Sequence, residues 1–191
     1  VDDSVNENIH AFKGNGILVG MNGTLIFRKG VDLMLEAIAS LADDGHDFRL
    51  VLAGEGKDRQ TFERMAEEKG IADRVLFLGM IKDAWRLLPL YDIFALPSRS
   101  EGFPLALLEA GAVGVESVVS DLPIVKECFV NHHDVEMFCL ADGADGLKNA
   151  LLRASRSPIA KNHIIDTFHN KYSPDNFYRG YYNIYKEILN S

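Results

Sequence analysis

Short apolar runs alternate along this chain with longer segments in which apolar residues recur every three or four positions. The runs are Gly16–Asn22 (GILVGMN), Phe48–Ala53, Val75–Leu78, Ile93–Leu96, Ser117–Val119 and Val135–Leu140. Runs this short, with little polar alternation, read as strands buried on both faces, the pattern of a parallel sheet. Between them, Val31, Met34, Leu35, Ile38 and Leu41 share one face of a helix over Val31–Leu41. Asp58–Lys69 reads as a charged amphipathic helix stopped by Gly70. Shorter helices are predicted over Ala84–Leu90 and Pro104–Val113, with a weak one over Pro123–Phe129. Ala144–Ala154 and Pro158–Asn170 follow. Ser173-Pro174-Asp175 then opens a last helix, Pro174–Leu189, with a cap, a proline at the first position and an acid in the first turn. Residues 1–15 are polar, carry no clear period and are read as a lead-in.

This order predicts an α/β fold: a Rossmann-like, doubly wound parallel sheet of about six strands with a C-terminal helix. Such sheets bind ligands at the carboxyl ends of their strands. The loops with unusual chemistry, Gly23–Gly30, Gly54–Lys57, Gly79–Lys82 and Pro97–Phe103, all follow strands and are expected along one edge. The last helix carries Phe177, Tyr178, Tyr181, Tyr182 and Tyr185, a surface suited either to this sheet or to a further domain.

Composition narrows the function. A chain of 191 residues is long enough for a sizeable core, and its net charge of -8 argues against a nucleic-acid surface. Cys128 and Cys139 do not form a disulfide framework, which points to a reducing, cytoplasmic setting. No apolar run reaches the roughly 18 residues of a membrane span. The chain begins at Val1-Asp2-Asp3 without an initiator Met, as a fragment of something longer would.

Candidate chemistry gathers in two places. Thr24, Arg28 and Lys29 lie within one loop after the first strand, a composition that suits an anion; the plainer reading is a pair of solvated cations. The stretch Tyr91–Asp121 holds Glu101 just before a helix start and Glu109 as the only charge within that helix. With Pro104 at the first helical position, the Leu105 and Ala106 N–H groups would face the loop, where phosphates bind in such folds. Leu105, Leu108, Glu109 and Ala112 share or adjoin one face. The plainer reading of Glu109 is a surface glutamate, but these apolar neighbours argue for a buried carboxylate that needs partners, such as ligand hydroxyls. The turn at Gly102 could bring both carboxylates to one cleft. Gly54-Glu55-Gly56 begins like a dinucleotide fingerprint but has Arg59 in place of the third glycine. His132-His133 read as a solvated turn, and His163 and His169 lack metal-ligand spacing, so no metal site is expected.

The run SRSEGFPLALLEAGAVGV resembles the E-x7-E segment of retaining glycosyltransferases of the GT-B fold, family 4 above all. The loop Gly23–Gly30, ending in Lys29-Gly30, resembles that family's first loop. Leu50–Gly56 and Asp73–Gly79 resemble its second and third strands with their turns. The likeness spans about Gly16 to Asp121 and weakens beyond.

The resemblance implies the C-terminal half of an enzyme that moves a sugar from a UDP- or GDP-type donor with retention, without metal or other cofactor. Residues 1–15 would lead in from a missing N-terminal half, 16–171 would bind the donor, and 172–191 would form a helix packing on the acceptor domain. Lys29, with Arg28 or Thr24, would meet the diphosphate beside Gly23. Met80 and Ile81 would hold the base through backbone groups. Glu101 would bind sugar hydroxyls, Gly102, Phe103, Pro104 and Leu105 would approach sugar and phosphates, and Glu109 would hold the ribose. The acceptor would be a sugar, glycan or lipid-linked molecule, with the full-length enzyme at the inner face of a membrane. Three departures stand out. Thr24 occupies a place often held by Arg, Glu116 one usually held by Pro, and Asp121–Glu127 replaces a Gly-Gly-x-Pro-Glu stretch. Rival readings are a non-catalytic sugar-nucleotide sensor, an epimerase or phosphorylase of the same fold, and a flavodoxin-like signalling domain. The last would need acids where Asn22, Gly23 and Thr24 stand.

Overall fold

Side chains on both sides of each apolar run need cover, and this double demand builds a three-layer fold. The computed structural model describes residues 3–128 and 135–190. Strands β1 (Ile17–Asn22), β2 (Phe48–Ala53), β3 (Val75–Gly79), β4 (Ile93–Leu96), β5 (Glu116–Ser120) and β6 (Glu136–Phe138) form one sheet in the order β3-β2-β1-β4-β5-β6. Every pairing is parallel. The chain winds outward from β1 to β3, then returns to lay β4 on the other side of β1. The switch point therefore lies between β1 and β4, where the carboxyl ends diverge and leave a crevice.

Helices α2 (Val31–Asp43), α3 (Arg59–Glu68) and α6 (Gly143–Arg156) cover one face. There Met34, Leu35, Ile38, Phe62, Leu147 and Leu151 pack with Val19, Leu50 and Leu52. The other face is covered by α1 (Asp3–Lys13), α4 (Leu105–Ala112), α5 (Pro123–Cys128), α7 (Lys161–Tyr172) and a 3-10 segment, Ala84–Leu90. Ile9, Leu87, Leu88, Leu107, Ile164 and Phe168 there meet Leu18, Val51 and Phe94. The last helix, α8 (Pro174–Asn190), makes its main contact with α7.

Several expectations need correction. Residues 3–13 form a helix with Ile9 fully buried. Val5, Ile9 and Phe12 fall at four- and three-residue steps and pack on the second core, a short stripe hidden among polar neighbours. Burying Ile9 alone is worth about 1.5–3 kcal/mol, so this segment is part of the fold. Strand β6 is shorter than predicted, because Leu140–Asp142 turns into a 3-10 segment. Helix α7 starts at Lys161 rather than Pro158, and the Ile159 N–H instead bonds the Glu116 carboxylate at 2.6 Å. The Ser173 cap forms as expected, its Oγ accepting the Asn176 N–H at 3.3 Å. His132 and His133 lie outside the described residues. No helix among the described residues is long and apolar enough to cross a membrane.

Candidate functional site

The crevice at the switch point is built from backbone before any side chain enters it. After β1, the loop Gly23–Gly30 folds over the loop after β2. The Gly23 N–H bonds Ala53 O at 2.9 Å, and the Leu25 N–H bonds Glu55 O at 2.9 Å. A Cβ on Gly54 would lie 1.8 Å from Gly23 O, and one on Gly56 would lie 2.2 Å from Leu25 O. Gly54-Glu55-Gly56 thus serves close loop packing, which accounts for the partial dinucleotide fingerprint. Asn22, at the end of β1, accepts from the Tyr91 hydroxyl at 2.9 Å and donates to Ala84 O at 3.0 Å. Burial raises the Tyr91 hydroxyl pKa well above its ordinary value, so it remains a donor.

The loop after β4 is tied to the end of the first loop. The Arg99 N–H bonds Arg28 O at 2.8 Å, and its guanidinium clasps Asp32 through two bonds of 2.8 and 2.7 Å. The carboxylate of Asp32 keeps the Arg99 pKa above its ordinary value. Arg28 Nη1 donates to Ser100 O at 2.6 Å. Gly30, at a φ of 74°, approaches so closely that a Cβ would lie 2.0 Å from Pro97 O. Within this frame Glu101 Oε1 accepts from Lys29 Nζ at 2.6 Å and from Ser98 Oγ at 2.5 Å. The Glu101 side chain is 7% exposed and that of Lys29 is 22% exposed.

Lys29 and Glu101 open into a hollow of about 280 Å³, walled by Asn22, Gly23, Thr24 and Leu96 on the strand side and by 103–106 opposite. The entry to α4 differs from the expected one. Pro104 precedes the helix, at φ −84° and ψ 65°, and the Leu105 N–H bonds Phe103 O at 2.9 Å. That is an inverse γ-turn centred on Pro104. It occupies the Leu105 N–H and leaves the Ala106 N–H, which has no partner inside its own helix, at the wall of the hollow.

Helix α4 buries Leu107, Ala110 and Gly111, while Leu105, Glu109 and Ala112 lie exposed. Phe168 presses on Gly111, where a Cβ would lie 2.0 Å from its ring. The expectation of a buried Glu109 is therefore overturned. Leu105, Leu108, Glu109 and Ala112 do share or adjoin a face, but it is the outward one. Partial burial nonetheless raises the Glu109 carboxyl pKa above its ordinary value. Glu109 lines a second hollow of about 300 Å³ with Leu108, Ala112, Phe168, His169, Tyr172 and Ser173. The two glutamates thus flank α4 in separate hollows rather than sharing one.

Of the candidate residues, Gly23, Thr24, Lys29, Glu101, Phe103, Pro104 and Leu105 line this one hollow. Arg28 is engaged on the loop backbone, and Gly102 is exposed beside the hollow without lining it. Met80 and Ile81 follow β3, two strands away on the same carboxyl edge. Sequence reasoning missed Asn22 and Ser98; of the two N–H groups it placed at the helix start, only that of Ala106 is left at the hollow. Ser98 had a usable signal, a hydroxyl three residues before Glu101 in a post-strand loop. Asp121, in the departing stretch, accepts from the Leu140 N–H at 3.0 Å and from Lys126 at 2.9 Å. The Leu140 N–H, then Lys126, hold its carboxyl pKa below the ordinary range.

A doubly wound domain with a polar hollow at its switch point belongs to the class of α/β domains that hold ligands at a sheet's carboxyl edge. Residues 2–168 match the family described as glycosyl transferases group 1, and the chain belongs to that family. It is 34% identical over 139 residues to the Rhizobium meliloti lipopolysaccharide core biosynthesis mannosyltransferase LpsB, covering 68% of this chain and 38% of that protein. It is 30% identical over 115 residues to the Escherichia coli O-antigen biosynthesis glycosyltransferase WclY, covering 60% of this chain and 31% of that one. The chain therefore spans only about a third of these relatives' lengths. Among solved structures, a Rickettsia africae glycosyltransferase aligns with a TM-score of 0.81 at 17% identity, covering 99% of this chain and 52% of that one. The C-terminal domain of Francisella tularensis LpcC aligns at 0.71 and 20% identity, covering 83% and 87%. Anabaena HepE in complex with UDP and glucose aligns at 0.76 and 18%, covering 89% and 48%. The fold is that of the C-terminal half of a GT-B glycosyltransferase.

Proposed function

We propose that this chain is the donor-binding domain of a retaining, metal-independent glycosyltransferase of the E-x7-E, family 4 type. It would bind a UDP- or GDP-type nucleotide sugar for transfer to a sugar, glycan or lipid-linked acceptor held by a second domain. Synthesis of a glycan or glycolipid fits the names of the relatives, which include O-antigen and lipopolysaccharide core enzymes; we place that synthesis at the cytoplasmic face of a membrane as part of the proposal. The observation that carries the reading is the meeting of Lys29, Glu101 and the α4 entry in one hollow at the switch point.

Each group has a role there. Lys29 faces the diphosphate, and the Ala106 N–H adds a fixed donor at a helix N-terminus. Together they offset negative charge on the departing nucleoside diphosphate, the part a metal ion plays elsewhere. Glu101 accepts hydroxyls of the donor sugar. A nucleotide lying over the exposed face of α4, past Leu105, reaches Glu109 one helical turn on, where the carboxylate takes the ribose. Met80 and Ile81 meet the base at the end of β3.

Calorimetric titration of the chain with UDP, GDP, ADP and their hexose conjugates tests the reading. Binding of at least one pair is expected, and binding of none overturns it. In the complete enzyme, Lys29→Ala is expected to lower turnover about a hundredfold or more, as loss of a key electrostatic donor does.

A further inference from the structure

The hollow does not present a bare cation. Its one lysine is bonded to its one carboxylate at 2.6 Å, so the charged groups of the wall cancel. Arg28, the other cation nearby, is spent on Ser100 O. Glu101 cannot simply swing away when an anion arrives, because its side chain is nearly buried and Ser98 holds the same oxygen from a fully buried position. Any phosphate reaching Lys29 must therefore settle beside a fixed negative charge, in a place too sheltered for salt to screen fully.

Two ligands meet that arrangement differently. A nucleoside diphosphate ends in a phosphate monoester with close to two negative charges and no donors for Glu101. Its sugar conjugate has a diester there, with one charge fewer, and carries hydroxyls that donate to the carboxylate. We infer that the Lys29–Glu101 pair is a selectivity device that disfavours the bare nucleoside diphosphate relative to its sugar conjugate, so that the leaving product is released rather than retained. This rests on the donor-domain reading and adds the discrimination to it.

The test measures dissociation constants for UDP against UDP-glucose, GDP against GDP-mannose and ADP against ADP-glucose, using whichever pair binds. Glu101→Gln removes the charge but keeps the shape, and shifts the affinity ratio about tenfold toward the bare nucleotide, or ~1.4 kcal/mol. Lys29→Gln leaves the carboxylate uncancelled and shifts the ratio the opposite way, against the more highly charged ligand. Opposite signs are what a merely structural role does not produce. Shifts in one direction for both variants, or a ratio within about threefold of wild type in both while binding persists, overturn the inference alone. Binding of no pair by the unaltered chain overturns the donor-domain reading itself, and the inference with it.

Discussion

The loop pair around Lys29 and Glu101 and the outer helix α8 of the α7–α8 tail handle their side chains in opposite ways. In the loop pair, polar side chains tie the two loops to each other and to the elements beside them. Arg99 holds Asp32, Arg28 holds Ser100 O, Ser98 and Lys29 hold Glu101, and Ser120 Oγ donates to Ser98 O at 2.5 Å. In the tail, α8 exposes Tyr178, Tyr182, Tyr185 and Leu189 at helical spacing, with Tyr178 70% exposed. One region spends charge to fix geometry; the other leaves apolar surface to water. A site that must offer a preset arrangement to a ligand needs the first kind of construction. A surface built like the second contributes little to the stability of this chain.

The largest expected effect tests the rigidity of the loop pair. Gly30→Ala puts a Cβ 2.0 Å from Pro97 O on a residue at φ 74°. Left-handed backbone and a clash with main chain together should cost roughly 3 kcal/mol or more. Denaturant unfolding reads this directly. A loss below about 1 kcal/mol would mean that the two loops can part without consequence, and the contrast with the tail would collapse.

How far the sequence could be read divides along the same line. Strands and helices were legible because double burial and helical periods leave marks that need no tertiary information. Lys29 and Glu101 were legible as types, a lysine and a carboxylate in post-strand loops, with roles supplied by family likeness. Their pairing across 72 positions was not, since no local pattern records which loops the topology brings together. Glu109 shows the limit of periodicity: spacing gave the face of α4 correctly but not which side of that face held solvent. Pro104 shows the limit of positional preference, because a γ-turn and a first helical turn both accept proline. Helix α1 was lost because a stripe of Val5, Ile9 and Phe12 is too short to stand out among polar residues.

A smaller effect is expected at the joint between the two regions. Glu116 sits in β5, 6% exposed, and fixes the start of the tail through the Ile159 N–H. Burial raises its carboxyl pKa above the ordinary 4.5; the Ile159 bond works against the shift, and nearby Glu136, itself paired with Arg153, adds to it. Between 4.5 and the raised value, the folded chain holds a proton the unfolded chain has lost, so stability falls as pH rises through that window. Glu116→Gln keeps an oxygen for Ile159 and removes the charge. Its melting temperature is expected to exceed wild type at pH 7.5, by less than the Gly30 effect, and to converge with it near pH 4. A variant less stable than wild type at pH 7.5 would show that the ionised carboxylate is needed to hold the tail.

The smallest effect belongs to α8. Tyr182 is 68% exposed and Tyr185 is 63% exposed, so the Tyr182→Ser/Tyr185→Ser double variant removes two large rings that bury little. Tyrosine and serine have similar helix propensities. Unfolding free energy of the chain should therefore change by no more than about 0.5 kcal/mol per site. A loss of 2 kcal/mol or more would mean the helix closes onto this domain in solution, and its aromatic face would join the core. Near-neutrality sharpens the contrast instead. It would assign the apolar face of α8 no part in holding the sheet together, and leave the site's geometry to the bonds between the loops alone.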